Sequence, residues 1–129
     1  MRERSSSAPA TTARVADVEP VEINAGGWYL RALRADERVD DRPALTDGGI
    51  DDAEYVTRRA AQWLSDEHYS WAICQPNTGE LLAEVGLTPS AESARLSGWA
   101  RTGHHDALEA GSDAVQRFAE GALGLTVHR

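Results

Sequence analysis

Residues 98–118, "GWARTGHHDALEAGSDAVQRF", place a polar turn between a strand-like stretch and a helix-like one. A helix N-terminus is a ready anion site, because its first backbone N–H groups lack partners and the helix dipole favours negative charge. Loops that hold a phosphate this way use glycines where the backbone must close on the ligand. Here the turn reads Gly103-His104-His105-Asp106, with one glycine, two imidazoles and a carboxylate. The histidines could donate to a diphosphate in the place of arginines, or be solvated loop residues. Asp106 could cap the helix. A metal site is disfavoured, since the nearest further ligands are Asp106 and Glu109 and no two-histidine helical spacing exists.

Other reactive side chains are isolated. Cys74 alternates with Ala72 in a strand-like run and reads as a buried, inert thiol. Being the single cysteine, it excludes an intramolecular disulfide and a cysteine zinc cage. Ser97 lacks the turn and the positioned histidine of a hydrolase nucleophile. His68 follows a helix and reads as a surface residue beside its C-terminal dipole. The four tryptophans, Trp28, Trp63, Trp71 and Trp99, read as core, with Trp99 also able to meet a ligand at its strand end.

The elements that must position these groups follow from pattern. Residues 1–20 are rich in Ser, Ala, Thr and Pro and are expected to be a disordered tail, with residues 21–129 forming one domain. Asn24-Ala25-Gly26-Gly27 is a turn signal before a strand over 28–33. Residues 34–50 hold at most one short helix, before Pro43. Residues 51–64 predict the clearest helix, with Asp51 as cap, Glu54 completing a capping box and pairing with Arg58. Its apolar face would be Ala53, Val56, Ala60, Trp63 and Leu64. Tyr69–Gln75 and Glu80–Leu87 flank a Pro76-Asn77-Thr78-Gly79 turn and predict a hairpin. "TPSAES" reads as a loop, "ARLSGWA" as a third strand, and a helix ending at Gly124 precedes a strand stub, "LTVHR". The fold class is therefore mixed α/β, with helices against a largely antiparallel sheet.

A net charge of −8 argues against general nucleic-acid binding, which needs a basic surface. All thirteen basic residues are arginine, which removes Schiff-base and P-loop lysine chemistry. No apolar run has the length of a membrane span, and the N-terminus has no signal-peptide core, so a cytoplasmic location without membrane partners is expected.

"WYLRALRADE", "DDAEYVTRRAAQWL", "WAICQPNTGELLAEVGL", "ARLSGWA" and "DAVQRFAEGALGLTVHR" follow one another as in the GNAT N-acetyltransferases. Over residues 28–129 the chain resembles the ribosomal-protein alanine acetyltransferase type within that family. The resemblance implies transfer of an acetyl group from acetyl-CoA, as co-substrate and without a metal, to an amine on a small molecule or a protein N-terminus. It implies that the pantetheine arm pairs with the strand "ARLSGWA" and that the pyrophosphate meets the loop and helix that follow. On this chain the implied cofactor contacts are Trp99, Ala100, Arg101, Gly103, His104, His105, Asp106 and Ala107. Glu84 is the implied candidate for proton removal; otherwise it is an exposed strand carboxylate.

The chain departs from the family pattern at the loop. The family's Arg-Gly-x-Gly segment falls on Gly103-His104-His105-Asp106, where side chains crowd the backbone and a carboxylate repels an anion. Arg95 stands where relatives often carry a glutamate. The family's further C-terminal helix and strands are also missing, so a truncated domain is expected, with a homodimer as one way to cover the open sheet edge. The expected activity is weak acetyl transfer. The alternative is a non-catalytic remnant that acts as a partner-binding module.

Overall fold

The computed structural model describes residues 20–129. The tail expected over 1–20 lies outside them, apart from Pro20. Six strands form one sheet in chain order: β1 (Ile23–Ala25), β2 (Trp28–Arg31), β3 (Tyr69–Cys74), β4 (Leu81–Ser90), β5 (Ser93–Ala100) and β6 (Thr126–His128). All neighbours are antiparallel except β5 and β6, which run parallel. Helices α1 (Arg42–Asp47) and α2 (Tyr55–Ser65) follow β2, and α3 (His105–Gly121) joins β5 to β6.

The expected mixed α/β class holds, and so does the β3–β4 hairpin over its Gly79 turn, where φ is +74°. Four elements differ from expectation. The stretch "TPSAES" is mostly strand. β4 runs on to Ser90, and Ala91 at φ +55° reverses the chain so tightly that Ser90 pairs with Ser93. Pro43 lies inside the first turn of α1 and does not follow a helix, because a ring without an N–H is tolerated where that N–H would be unpaired anyway. Helix α3 stops at Gly121, and Gly124 (φ +68°) then turns the chain into β6.

Helix α2 is the largest revision. It starts at Tyr55, after Asp52 has accepted the Glu54 N–H, and its N-cap has no side-chain bond. Arg58 pairs with Asp52, not with Glu54. Of the expected apolar face only Trp63 and Val56 turn inward. Ala53 and Ala60 are exposed, and Leu64 is 84% exposed. Trp63 alone of the helix is fully buried. The reason lies in strand lengths. β2 ends where Arg31 pairs with Ala72, leaving the first three residues of β3 without a partner on that edge. Trp63 fills this gap, its indole N–H donating to Ser70 O at 3.1 Å and its ring packing on Tyr69 and Trp71.

One irregularity sets the two sheet faces. Ile73 pairs with Ala83 and Cys74 with Leu81, so Leu82 is an extra residue, a β-bulge. Leu82, Ala83, Val85 and Leu87 join the core under α3, with Trp71, Ile73, Val115 and Ala119. Leu81 turns to the opposite face with Ala72 and Cys74, beneath α1 and the start of α2. Glu84, Gly86 and Thr88 share that second face by the two-residue period of a strand.

That face also holds a buried ion pair. Arg31 donates to both oxygens of Asp41 at 2.8 Å and to Gly79 O at 3.0 Å, while Asp41 also accepts the Arg34 N–H. Both terminal guanidinium nitrogens and both carboxylate oxygens are used, which is what makes burial of such charges tolerable. The pair ties β2, the start of α1 and the hairpin turn together.

Candidate functional site

The site lies where β4, β5 and α2 meet. Ala72, Glu84 and Trp99 are register partners across β3, β4 and β5. The small Ala72 leaves room for the Glu84 carboxylate, which is only 2% exposed and so is not an exposed strand carboxylate. Three donors hold it. Tyr55 Oη donates to Oε1 at 2.6 Å, Trp99 Nε1 to the same oxygen at 2.9 Å, and Arg59 Nε to Oε2 at 3.0 Å. Tyr55 and Arg59 are one helical turn apart, so α2 presents both on one face. Arg59 also donates to the Tyr55 hydroxyl and to Gln62. Burial first, and then the Glu84 charge, push the Tyr55 phenol up to about 12, so it stays a donor at any ordinary pH.

Trp99 is fixed from behind. A Cβ at Gly48, just after α1, would stand 2.2 Å from the Trp99 ring. The indole therefore lies flat on a backbone that only glycine allows, with its N–H aimed at Glu84.

A cavity of about 190 Å³ opens beside this network, lined by Arg59, His68, Glu84, Gly86, Ser97, Gly98 and Trp99. His68 is the member that sequence reasoning misplaced. It is half-buried, with Nδ1 2.8 Å from Thr88 Oγ1 and Nε2 buried over Gly86. Burial, and then the Arg59 charge, push its pKa down to about 4, so the ring is neutral near pH 7. Tyr55 and Arg59 were also missed, because on sequence they belong to the wet side of an amphipathic helix. One signal could have found His68: a glycine inside a strand, as at position 86, marks close approach by another group.

The residues implied as cofactor contacts fall into two groups. Trp99 and Arg101 point to the α1 side. Arg101 donates to Asp47 at 2.8 Å, to Glu80 at 2.7 Å and to Leu81 O at 2.9 Å, so its guanidinium is committed within the protein. Ala100 packs against the α3-side core. Gly103, at φ +87°, has no atom within 4 Å of where a Cβ would be, so open space faces it. His104 is the N-cap of α3 but makes no side-chain cap bond. Asp106 is therefore not the cap. It sits in the first turn, exposed, and its carboxylate accepts the adjacent Ala107 N–H at 2.9 Å. Ala107 itself is buried. Cys74 is buried as expected, and burial pushes its thiol up to about 12. Among the described residues no group of three His, Cys, Asp or Glu side chains could hold a metal ion.

The strand before the loop has one free edge. β6 pairs with β5 only from Ser93 to Arg95. On the other side, Arg101 N–H donates to Leu82 O, which makes Ala83 and Ala100 a non-hydrogen-bonded pair. By the alternation of an antiparallel ladder, Gly98 and Ala100 then turn their N–H and C=O groups away from β4. Among the described residues no strand meets them. The free edge runs straight into the N-terminus of α3.

Comparison of folds gives this arrangement a context. A ribosomal-protein-serine acetyltransferase assignment from Vibrio cholerae superposes with a TM-score of 0.73 at 16% identity, covering 85% of this chain and 74% of that one. An acetyltransferase assignment from Sphaerobacter thermophilus gives 0.54 at 11% identity, over 77% of this chain and 63% of its own. The acetyltransferase of Agrobacterium tumefaciens gives 0.50 at 21% identity, over 97% and 75%. This chain has the fold of the GNAT acetyltransferases. No family model matches its sequence, and no curated protein does. In this GNAT fold the free stretch of β5 leads to the α3 N-terminus, whose N-cap His104 makes no side-chain bond, and Gly98 on that stretch also lines the Glu84 cavity. Among the described residues no helix is long and apolar enough to cross a membrane.

Proposed function

We propose that this domain transfers an acetyl group from acetyl-CoA to an amine, on a small molecule or a protein N-terminus, and that it holds acetyl-CoA weakly. The carrying observation is the free edge of β5 leading into the α3 N-terminus. An extended chain bearing amides, which the pantetheine arm is, can pair with Gly98 and Ala100 as a strand would. The first-turn N–H groups of α3 suit the diphosphate. The fit is partial. Gly103 gives the open backbone a diphosphate needs, but Asp106 sets a carboxylate beside it and Arg101 is committed elsewhere.

The co-substrate supplies an activated thioester, so the protein's own work is positioning. An amine and a thioester held together gain most of their rate from lost translational freedom. A backbone N–H on the free edge can polarise the carbonyl. Glu84 is an unsuitable proton acceptor from substrate, since three donors already occupy it. It instead fixes Trp99 and α2 around the cavity.

Calorimetric titration with acetyl-CoA tests the reading, together with an acetylation assay on amines. The expected dissociation constant is nearer millimolar than micromolar, a span of about 4 kcal/mol. Micromolar binding would refute the weak hold. No binding and no transfer would leave a non-catalytic domain.

A further inference from the structure

The end of α1 grips the end of β5 at two points. Asp47, the final residue of α1, accepts from Arg101 Nε at 2.8 Å, and Gly48, the next residue, lies against the Trp99 ring. A strand turns alternate side chains to one face, so residues 99 and 101 both reach α1 while Ala100 between them does not. Both are tied to β4 or its approach as well. Trp99 Nε1 donates to Glu84 Oε1 at 2.9 Å, and Arg101 Nη1 donates to Glu80 Oε2 at 2.7 Å and Leu81 O at 2.9 Å. Helix α1 is itself anchored at its other end, where its N-cap Asp41 is buried against Arg31. On the opposite face Gly98 is pressed close: a Cβ there would stand 2.6 Å from Glu84 O and 2.8 Å from Leu108 Cδ1, near the start of α3. The backbone from 98 to 101 is thus held from both faces. Yet the N–H and C=O groups of Gly98 and Ala100 look out along an edge that, among the described residues, no strand covers.

We propose that Trp99 and Arg101 are positioning residues: clamped by the end of α1, they hold the free edge of β5 straight, so that Ala100 meets the amides of the pantetheine arm already in register. The role rests on the acetyl-CoA reading above. A sheet edge with no neighbouring strand is loose, and a ligand that must order it loses affinity in doing so. The clamp removes that cost before binding. It also gives Arg101 a task other than touching the diphosphate, since its guanidinium is engaged by Asp47 and Glu80. The two tasks predict opposite signs. If Arg101 read the diphosphate, releasing it from Asp47 would tighten binding. As a clamp, releasing it loosens the edge and weakens binding. They also differ in which half of the ligand feels the change, the amides or the phosphates.

The test follows the Ala100 amide resonance of the full chain during titration with acetyl-CoA and, separately, with S-acetylpantetheine, which lacks the diphosphate. Arg101→Gln should weaken both ligands alike, roughly tenfold, the worth of a charged hydrogen bond. Asp47→Asn should weaken both roughly threefold, as for an exposed ion pair. Without ligand, the Ala100 amide should be ordered in the wild type and more mobile in both variants by nitrogen-15 relaxation. In turnover the loss should sit in KM and leave kcat. Asp47→Asn, at a side chain 61% exposed, keeps the test valid if Arg101→Gln fails to fold. A loss confined to acetyl-CoA, or tighter binding by Asp47→Asn, makes Arg101 a diphosphate contact and overturns the clamp. Unchanged affinity with a lowered urea midpoint, the mark of a purely structural tie, overturns it too. So does a wild type that binds acetyl-CoA but not S-acetylpantetheine, because the edge then adds no affinity. A wild type that binds neither ligand overturns the acetyl-CoA reading and the clamp with it.

Discussion

The two faces of the sheet solve different problems with the same strands. Under α3, Trp71, Ile73, Val85, Leu87 and Val115 fill the space without a polar side chain among them, and even Gly111 is there for packing, lying against Ile73. Under α1 and α2, β4 presents Glu84, Gly86 and Thr88, and that face keeps one buried and one half-buried ion pair, two buried polar atoms without a partner among the described residues, and a cavity. The apolar face could be made by any sequence of suitable volume. The polar face depends on individual atoms, and that is where chemistry is to be sought. A fold can be conserved through one face while its function is carried, or lost, through the other.

The comparison can be broken first at neighbouring residues of α2. Trp63→Ala removes the ring that seals the β3 edge and should cost roughly 3–5 kcal/mol in denaturant unfolding. Leu64→Ala, one residue on and exposed, should stay within about 0.5 kcal/mol. Equal losses would mean that both sit in the core.

On the polar face, Glu84→Gln keeps the shape but sets an amide N–H₂ against one of three donors. A loss of about 1–3 kcal/mol in the same measurement is expected. No loss would show that the carboxylate is not what holds Tyr55, Arg59 and Trp99.

The third contrast is in pH. His68 is depressed from 6.5 to about 4, so between those values the unfolded chain binds more protons than the folded one. Stability contributed by the neutral ring is whole above pH 6.5 and declines as pH falls toward 4. Urea midpoints taken across that window should drop in the wild type and drop less in His68→Gln. Parallel curves would place the imidazole in solvent.

The smallest effect lies at the loop. Asp106→Gly combined with His104→Gly removes a charge beside a helix N-terminus and bares the backbone. Acetyl-CoA should bind about twofold to fivefold tighter by calorimetry, the worth of one charge at a helix end. Unchanged affinity would mean that the free edge of β5, and not this loop, limits binding.

How much of this was legible in the sequence follows the same division. The β3–β4 hairpin, β5 and α3 were readable because turn residues and apolar alternation agreed there. The bulge was not, since Leu81 and Leu82 look interchangeable and only the pairing tells which faces α3. The start of α2 was misread because Ala53, Ala60 and Leu64 mimic a buried stripe, while the true inward residues include Tyr55 and Arg59. A buried glutamate with three donors drawn from two distant segments leaves no local mark. Neither does an imidazole whose partner is a glycine eighteen positions on. Sites built from long-range pairing are invisible to patterns that look only a few residues ahead.

Gly86 carries one more consequence. With the imidazole in place no side chain at all fits at position 86, yet once the imidazole is gone the position becomes permissive. Substitution is therefore ordered in time: His68 must be lost before Gly86 can drift, and after Gly86 has acquired a side chain the histidine has no way back. Among distant descendants of this gene, a glycine at 86 with some other residue at 68 would be a half-finished departure, and a histidine at 68 opposite anything larger than glycine should be missing from the lineage.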